Sequence, residues 1–273
     1  MVLSVLLNLI YPPPPSVVIT AMSVVSFLSL SHAGWMEIRG KNMQYSKMKD
    51  AQKNIIDDDT KKKKKGKVVP SKVGMIVIYT PAFVVGLSTF ILFPLGDFRF
   101  TLLRSAVTAH FFKRVFEVLF VHKYSGSMDV EIMVPISLSY FSFSAITIYN
   151  QHLMQSLPEP AIDLKYIGIP MFLLGIAGNF YHHYLLSKLR TKGDKQYKIP
   201  QGGLFSLVIC PHYLFEILGF FGMCCMSQTL YAFSYTMGST FYLMGRSYAT
   251  RKWYKSKFED FPKDVKALIP YIF

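Results

Sequence analysis

The chain has 273 residues, of which 51% are hydrophobic and 15% are aromatic, and its mean hydropathy is +0.30. This composition is too apolar for an ordinary soluble domain and indicates a protein that crosses a membrane several times. The formal net charge of +14 does not point to nucleic acid as a partner, because the basic residues fall between apolar runs and no RNA-binding signature is present.

Seven segments are apolar enough to be predicted as membrane-spanning helices, each of which needs about 20 residues. The predicted fold class is therefore all-α, a polytopic membrane protein with seven transmembrane helices. Residues 1–72 would form an N-terminal span and a lysine-rich cytosolic loop, and residues 73–273 the membrane-embedded domain. In chain order the predicted spans are 16–31, 73–93, 100–121, 132–149, 167–186, 204–226 and 230–244.

The distribution of lysine and arginine favours seven spans over six. Segment 31–72 carries 12 of these residues, segment 187–203 carries five and the tail 245–273 carries seven, whereas segments 94–99 and 151–166 carry one each. With seven spans, all the basic segments lie on one side of the membrane. Because cytosolic segments are enriched in basic residues, the C-terminus is predicted to be cytosolic.

The third predicted span contains ionisable residues, which are costly in a membrane and are therefore candidates for function. Lys113 and Glu117 are four residues apart, so that one helical turn allows them to pair, and Arg114 lies beside them. The alternative interpretation is a structural ion pair near the cytosolic end of the span, with the basic side chains reaching towards the membrane surface.

A second polar cluster links the fifth and sixth predicted spans, in GNFYHHYLLSKLR and YKIPQGGLFSLVICPHYLFEI. If these residues converge at a cytosolic opening, they suit a soluble ligand that carries phosphate. Arginine binds phosphate groups, while a carboxylate or an amide can hold a ribose or a carboxamide. The residues concerned are Asn179, His182, His183, Arg190, Tyr197, His212 and Glu216.

Several other kinds of site are not indicated. The chain contains no GxGxxG motif after a strand, no GxxxxGK[ST] motif and no GxSxG motif. Seven histidines, of which only His182 and His183 are clustered, do not suit a di-iron centre, and His212 with Glu216 lacks evident further ligands. The three cysteines include no CxxC pair. No metal is therefore expected.

The motifs YKIPQGGLF, PHYLFEI and GRSYATRKWYKSKFEDFPKDVKALIPYIF, in this order, resemble the C-terminal domain of the steroid 5α-reductase family, the 3-oxo-5α-steroid 4-dehydrogenases. HFFKRVFEVLFVHKYSG resembles the third-span motif in the form seen in very-long-chain enoyl-CoA reductases. The resemblance is strong over about 105–273. It implies a seven-helix reductase of the endoplasmic reticulum membrane, which uses NADPH from the cytosol. The shared reaction reduces a carbon–carbon double bond conjugated to a carbonyl group in a lipid or steroid.

The same resemblance implies roles for individual residues. In the steroid enzymes a glutamate and a tyrosine hold the substrate ketone, and Tyr79 and Phe111 stand at these positions here. The expected catalytic residues are Tyr79, which would donate a hydrogen bond to the enone oxygen, and the neighbouring Lys113 and Arg114. The expected cofactor-binding residues are Asn179, His183, Arg190, Tyr197, His212, Glu216, Arg246 and Tyr254.

The first expected substrate is a 3-oxo-Δ4 steroid, which would be reduced at the 5α position. A very-long-chain trans-2-enoyl-CoA and a polyprenol-type lipid are the alternatives within the family. A membrane methyltransferase is an alternative from another reaction class. An inactive paralogue also stays open, because Tyr79, Phe111, His212 and Thr250 all differ from the residues of the steroid enzymes.

Overall fold

The computed structural model describes residues 8–14, 16–41, 67–189 and 196–273. These residues form seven long helices and a small antiparallel sheet, in which β1 (Val68–Pro70) pairs with β2 (Ser127–Asp129). A π-helical turn, Glu117–Val121, continues the third helix. The helices are α1 (Val17–Ile38), α2 (Ser71–Leu92), α3 (Phe98–Phe116), α4 (Val130–Met154), α5 (Lys165–Lys188), α6 (Pro211–Ser227) and α7 (Leu230–Lys257).

Each long helix corresponds to one of the seven predicted spans, although the membrane crossing is supported for three of them. Among the described residues, α1, α2 and α4 are long and apolar enough to cross a membrane, by length and composition. By contrast, α6 has only 17 residues, and α3 contains four basic residues. The structure therefore has the apolar helices of a membrane protein, whereas the number of spans stays a prediction.

The sixth predicted span begins too early. Residues Gly203–Ser206 form a 3-10 turn, and the backbone N–H of Ile209 then donates to the carbonyl of Lys266 at 2.9 Å, as in a strand. The helix starts only at Pro211. Proline has no N–H to donate and its fixed φ suits the first turn of a helix, so Pro211 is well placed at the start of α6, although α2, α4 and α5 each contain an internal proline.

The seventh predicted span ends too early, because α7 continues from Met244 to Lys257. The prediction followed hydropathy, which falls where polar and basic residues begin. The residues from 246 to 257 include neither proline nor glycine, so nothing in the sequence stops the helix there. The additional turns carry Arg246 and Tyr254.

Glycines allow two pairs of helices to pack closely. A Cβ atom on Gly175 of α5 would lie 2.4 Å from the backbone nitrogen of Gly219 in α6. A Cβ atom on Gly245 of α7 would lie 2.2 Å from the carbonyl oxygen of Gly34 in α1. Small residues at such contacts let helix backbones approach each other, which is typical of helix packing in membranes.

The connections between helices fall at two opposite ends of the molecule. The described parts of three connections, which are 39–41 with 67–70, 122–129 and 196–210, lie at one end with the C-terminal tail, and we call it the basic end. The connections at 93–97, 155–164 and 228–229 lie at the other, which we call the distal end. Of the lysine-rich loop, residues 42–66 lie outside the described part of the chain.

A buried guanidinium joins the connections at the distal end. Arg99, whose side chain is fully buried, donates to Glu159 at 2.5 Å, to Asp163 at 2.6 Å and to the carbonyl oxygen of Met226 at 2.8 Å. It also donates to the side-chain oxygen of Gln228 at 3.0 Å. The hydrogen bond from Arg99 lowers the pKa of the Glu159 carboxyl. The start of α3 is thereby fixed to two separate connections.

Candidate functional site

The basic residues at the end of α3 converge on one buried carboxylate. Glu117 is fully buried, and one of its oxygens lies 3.0 Å from Lys113 Nζ and 2.9 Å from His183 Nδ1. Arg114 Nη1 donates to the other carboxylate oxygen at 3.1 Å. The π-helical turn begins at Glu117 itself, and such turns are frequent at functional sites. The predicted Lys113–Glu117 pair is therefore present, as part of a larger network.

Arg114 extends this network to the residue predicted to bind the substrate. Its Nη2 atom donates to the hydroxyl oxygen of Tyr79, and its guanidinium carbon lies 4.6 Å from the centre of the Tyr79 ring. The hydroxyl oxygen of Tyr79 thus accepts a hydrogen bond from a cation, which strengthens the hydroxyl as a hydrogen-bond donor. This arrangement suits a hydrogen-bond donor to a carbonyl oxygen.

A second line of contacts leads from Lys113 to Glu216. Lys113 donates to the side-chain oxygen of Asn179, and the Asn179 amide nitrogen donates to the carbonyl oxygen of His212 at 2.7 Å and to Glu216 at 3.4 Å. The fifth and sixth helices therefore present their polar residues side by side. This follows from their antiparallel packing, in which the end of α5 meets the start of α6.

Two cavities meet at this network. One, with a volume of about 240 Å³, is lined by polar groups, including Arg114, His183 and His212, and we call it the polar cavity. The other, of about 210 Å³, is lined mainly by apolar side chains of α1, α2, α4, α6 and α7, and we call it the apolar chamber. The residues that line both are Met75, Tyr79, Met128, Tyr140, Glu216, Tyr242 and Leu243.

A third cavity extends the polar cavity towards the basic end. It has a volume of about 200 Å³ and shares His122, Tyr124, Leu186 and Tyr197 with the polar cavity. Its wall also includes Lys123, Lys198 and Tyr254. We call these two adjoining cavities the polar groove, whose lining extends from Lys198 and Tyr254 to Glu216.

Most of the predicted site residues are brought together by the fold. Lys113 and Asn179 lie at the back of the junction, next to Glu216. Arg246, by contrast, donates from Nη1 to both carboxylate oxygens of Glu37 in α1, at 2.9 and 3.0 Å. Arg190 lies outside the described residues. The predicted residues that line the polar groove are Tyr79, Arg114, His183, Tyr197, His212, Glu216 and Tyr254.

Other residues of the site were not predicted. Glu117 was noted only as a partner of Lys113, although its position in an apolar span was a sufficient signal. His122 and Tyr124 follow the third span directly, so their place in a polar segment after a charged helix could have identified them. Tyr140 lies in an unremarkable apolar stretch of α4, and no pattern in the sequence distinguishes it from tyrosines that only pack.

His122 is held in its neutral form at physiological pH. Burial, assisted by the nearby Arg114 guanidinium, lowers the pKa of His122 from 6.5 to about 4. Its Nε2 atom lies 4.0 Å from Glu117, which opposes the shift only in part. Burial also raises the pKa of Tyr124 beyond its ordinary range. Both side chains therefore enter the polar cavity as neutral hydrogen-bonding groups.

This shift predicts a loss of stability in acid. The unfolded chain takes up a proton at His122 near pH 6.5, whereas the folded chain does so only near pH 4. Above pH 6.5 the neutral His122 therefore contributes about 3 kcal/mol to the free energy of unfolding, and this contribution should be lost as the pH falls towards 4. We expect the difference in Tm between wild type and His122→Gln to shrink over this range. Parallel Tm profiles for the two proteins would contradict the assignment.

Glu117, His122 and His183 have the geometry of a metal site, since their ligand atoms lie within 4.8 Å of one another. However, Lys113 and Arg114 both contact the same carboxylate. Two cations at this distance would repel a divalent ion and already use the carboxylate oxygens. That this site binds no metal ion therefore stays a prediction.

Comparisons with known proteins agree on one family. The family model described as 3-oxo-5-alpha-steroid 4-dehydrogenase matches residues 130–273, which is just over half of the chain. The chain is 34% identical to the steroid 5-alpha-reductase DET2 of Gossypium hirsutum over 199 residues, which cover 68% of this chain and 76% of that protein.

Two further relatives are named for activities that differ from each other. The chain is 31% identical over 167 residues to the very-long-chain enoyl-CoA reductase of Dictyostelium discoideum, covering 60% of this chain and 55% of that protein. It is 38% identical over 112 residues to 3-oxo-5-alpha-steroid 4-dehydrogenase 2 of Homo sapiens, covering 41% and 44%. The chain thus spans about half the length of these two relatives.

Proposed function

The chain belongs to the 3-oxo-5-alpha-steroid 4-dehydrogenase family, and from this premise we propose that it is a membrane reductase that uses NADPH. The reaction would reduce a carbon–carbon double bond conjugated to a carbonyl group in a lipid. The observation that carries this proposal is the junction of the polar groove and the apolar chamber at Tyr79 and Glu216. A reductase of this type has to bring a water-soluble cofactor and an apolar substrate to one point.

The polar groove fits a dinucleotide in its chemistry. At its inner end, Glu216 offers a carboxylate that could accept a hydrogen bond from a carboxamide, and Asn179 supports it from behind. At its outer end, Lys123 and Lys198 offer positive charge for phosphate groups, and Tyr197 and Tyr254 offer aromatic rings. When bound, the nicotinamide would supply the hydride. The groove begins at the basic end, where basic connections would attract an anionic ligand.

The residues of the chain would hold and polarise the substrate. Tyr79 would donate its proton in a hydrogen bond to the carbonyl oxygen, and Arg114 would stabilise the tyrosine as negative charge develops on that oxygen. Glu117, by pairing with both Lys113 and Arg114, would keep the guanidinium in place. The apolar chamber would exclude water from the reacting atoms.

We propose a 3-oxo-Δ4 steroid as the first substrate to test, because the steroid 5-alpha-reductase is the relative with the longer matched segment. A trans-2-enoyl-CoA is the second candidate, supported by the similarity to an enoyl-CoA reductase. Membership of this family favours either reaction over the methyltransferase. A polyprenol-type lipid would be the third member of the same panel.

We also propose that the seven long helices all span the membrane of the endoplasmic reticulum, with the basic end and the C-terminus in the cytosol. The distribution of basic residues supports this orientation. The buried charges of α3 contact α2 and α5 inside the bundle, so they do not prevent this helix from crossing. NADPH would then reach the groove from the cytosol, and the lipid would reach the chamber from the bilayer.

The proposal predicts substrate-dependent loss of dihydronicotinamide absorbance in purified, detergent-solubilised protein. The panel would contain a 3-oxo-Δ4 steroid, a long-chain trans-2-enoyl-CoA and a polyprenal. Glu216→Gln should lower kcat/KM by roughly tenfold to a hundredfold, because hydrogen bonds to a charged group contribute about 1.5–3 kcal/mol. Glu131→Gln, which changes an exposed carboxylate, is the matched control.

The outcomes of this experiment separate the alternatives. Turnover of one panel member, lost in Glu216→Gln and kept in Glu131→Gln, would support both the reaction and the site. Binding of NADPH without turnover of any panel member would favour the inactive paralogue. Full turnover in Glu216→Gln would remove Glu216 from the cofactor site.

A further inference from the structure

Tyr140 of α4 lies at the point where a substrate carbonyl would have to be held. It lines both the apolar chamber and the polar cavity, which it shares with Tyr79 and Glu216. Its ring centre lies 5.4 Å from that of Tyr79. The two tyrosines come from parallel helices, α2 and α4, and they enter the same junction from adjacent positions.

The hydroxyl group of Tyr140 has no assigned task within the fold. The ring of Tyr140 contacts Tyr79 and Phe111. Within the described residues, its hydroxyl has no hydrogen-bond partner. Tyr140 is half-buried and lines both cavities, so its hydroxyl can bond to a molecule that occupies them.

Among the residues that line both cavities, Tyr79, Tyr140 and Tyr242 carry hydroxyl groups. Glu216, when ionised, only accepts hydrogen bonds. Phe111, which packs against Tyr140 with ring centres 5.4 Å apart, carries no hydroxyl. The rings of Tyr79 and Tyr140 are in contact, which places their two hydroxyls to donate together.

We propose that Tyr140 donates a second hydrogen bond to the carbonyl oxygen of the substrate, alongside Tyr79. This inference rests on the proposed function. In the overall reaction, the dihydronicotinamide, when bound, would supply a hydride to the β-carbon, and the electrons of the double bond would move towards the carbonyl oxygen. A proton from water would then add to the α-carbon as these electrons return from the oxygen. Tyr140 does not transfer its proton. Its hydrogen bond stabilises the negative charge that develops on the carbonyl oxygen.

The inference also defines the class of ligand. Two neutral donors that meet at one point select a single acceptor oxygen with two lone pairs, as in a ketone or a thioester carbonyl. An alcohol oxygen also has two lone pairs, but its own proton would need an acceptor as well, whereas the oxygen of a conjugated carbonyl needs only donors. A conjugated carbonyl should therefore bind more tightly than the corresponding alcohol, even in the absence of a cofactor.

The test is isotope-edited infrared spectroscopy of a carbonyl-¹³C 3-oxo-Δ4 steroid, or of the labelled enoyl thioester if that is the panel member reduced. The spectrum is recorded on the protein without cofactor. Hydrogen bonding lowers the carbonyl stretching frequency, so this frequency should rise in Tyr140→Phe and rise further in the double variant with Tyr79→Phe. We expect kcat/KM to fall by roughly tenfold to a hundredfold in Tyr140→Phe.

Tyr149→Phe is the matched control, because Tyr149 is on the same helix and is 49% exposed. Binding of NADPH and Tm confirm that each variant is folded. An unchanged carbonyl frequency in Tyr140→Phe would overturn the inference, even if turnover falls, since a packing defect would explain the fall. If wild type neither binds nor reduces any panel member, the proposed function itself fails, and the two failures are thereby distinguished.

Discussion

Replacing Glu117 with alanine should lower the free energy of unfolding by about 3–5 kcal/mol, because it leaves buried cations without their counter-ion. Glu117 is fully buried, and its two oxygens contact Lys113, Arg114 and His183. The substitution removes all three contacts together. The measurement is the midpoint of thermal unfolding in detergent, which should fall by many degrees, together with loss of NADPH binding.

Two further variants show whether charge causes this effect. Lys113→Met in the Glu117→Ala background removes one of the unpaired cations, and it should restore part of the lost stability. Glu259→Ala, which removes an exposed carboxylate from the tail, should leave the midpoint unchanged. If Glu117→Ala unfolds at the wild-type temperature, the carboxylate does not neutralise the cluster and the description of the network is wrong.

The second large effect is expected at the distal end, where Arg99→Met should cost about 3 kcal/mol of stability. Methionine has a similar length but no donors. The carbonyl oxygen of Met226 and the side-chain oxygen of Gln228 would each lose a buried hydrogen bond, and Glu159 and Asp163 would lose a cation. We expect a lower midpoint of unfolding and faster proteolysis within the connection 155–164.

The position of Arg99 makes this prediction specific. It lies at the end of the molecule opposite the polar groove, so kcat/KM measured well below the unfolding temperature should stay close to that of wild type. Arg39→Met is the matched control, because Arg39 is exposed and lies over the Trp35 ring at 4.8 Å. A variant at Arg99 with normal stability would mean that Lys165 alone neutralises Glu159 and Asp163.

The helices could be predicted from the sequence because apolar runs of sufficient length have few alternatives. Their ends could not be predicted from hydropathy alone. Pro211 delays the start of α6, and the lack of helix-breaking residues prolongs α7 beyond the apolar stretch. The pairing of β1 with β2 was also not foreseen, since each strand has only three residues and carries no detectable alternation.

The site could be predicted where ionisable residues lie within apolar predicted spans. Lys113, Arg114, His183 and Glu216 were identified because ionisable groups are rare in apolar spans, and the structure brings them together. Tyr140 could not be identified in this way, because a tyrosine in a membrane helix is ordinary. Its importance depends on the distance to Tyr79, which exists only after α2 and α4 have packed.

The pair of Glu37 and Arg246 has a consequence for how the protein is made. The two residues are 209 positions apart, on the first and the last of the seven helices. During synthesis, α1 leaves the ribosome long before α7 exists, so Glu37 has to remain hydrated at the membrane surface without its guanidinium partner. Chains truncated before α7 should therefore expose a carboxylate that quality-control machinery can recognise. The first helix to be synthesised therefore completes its contacts only when the last one is present.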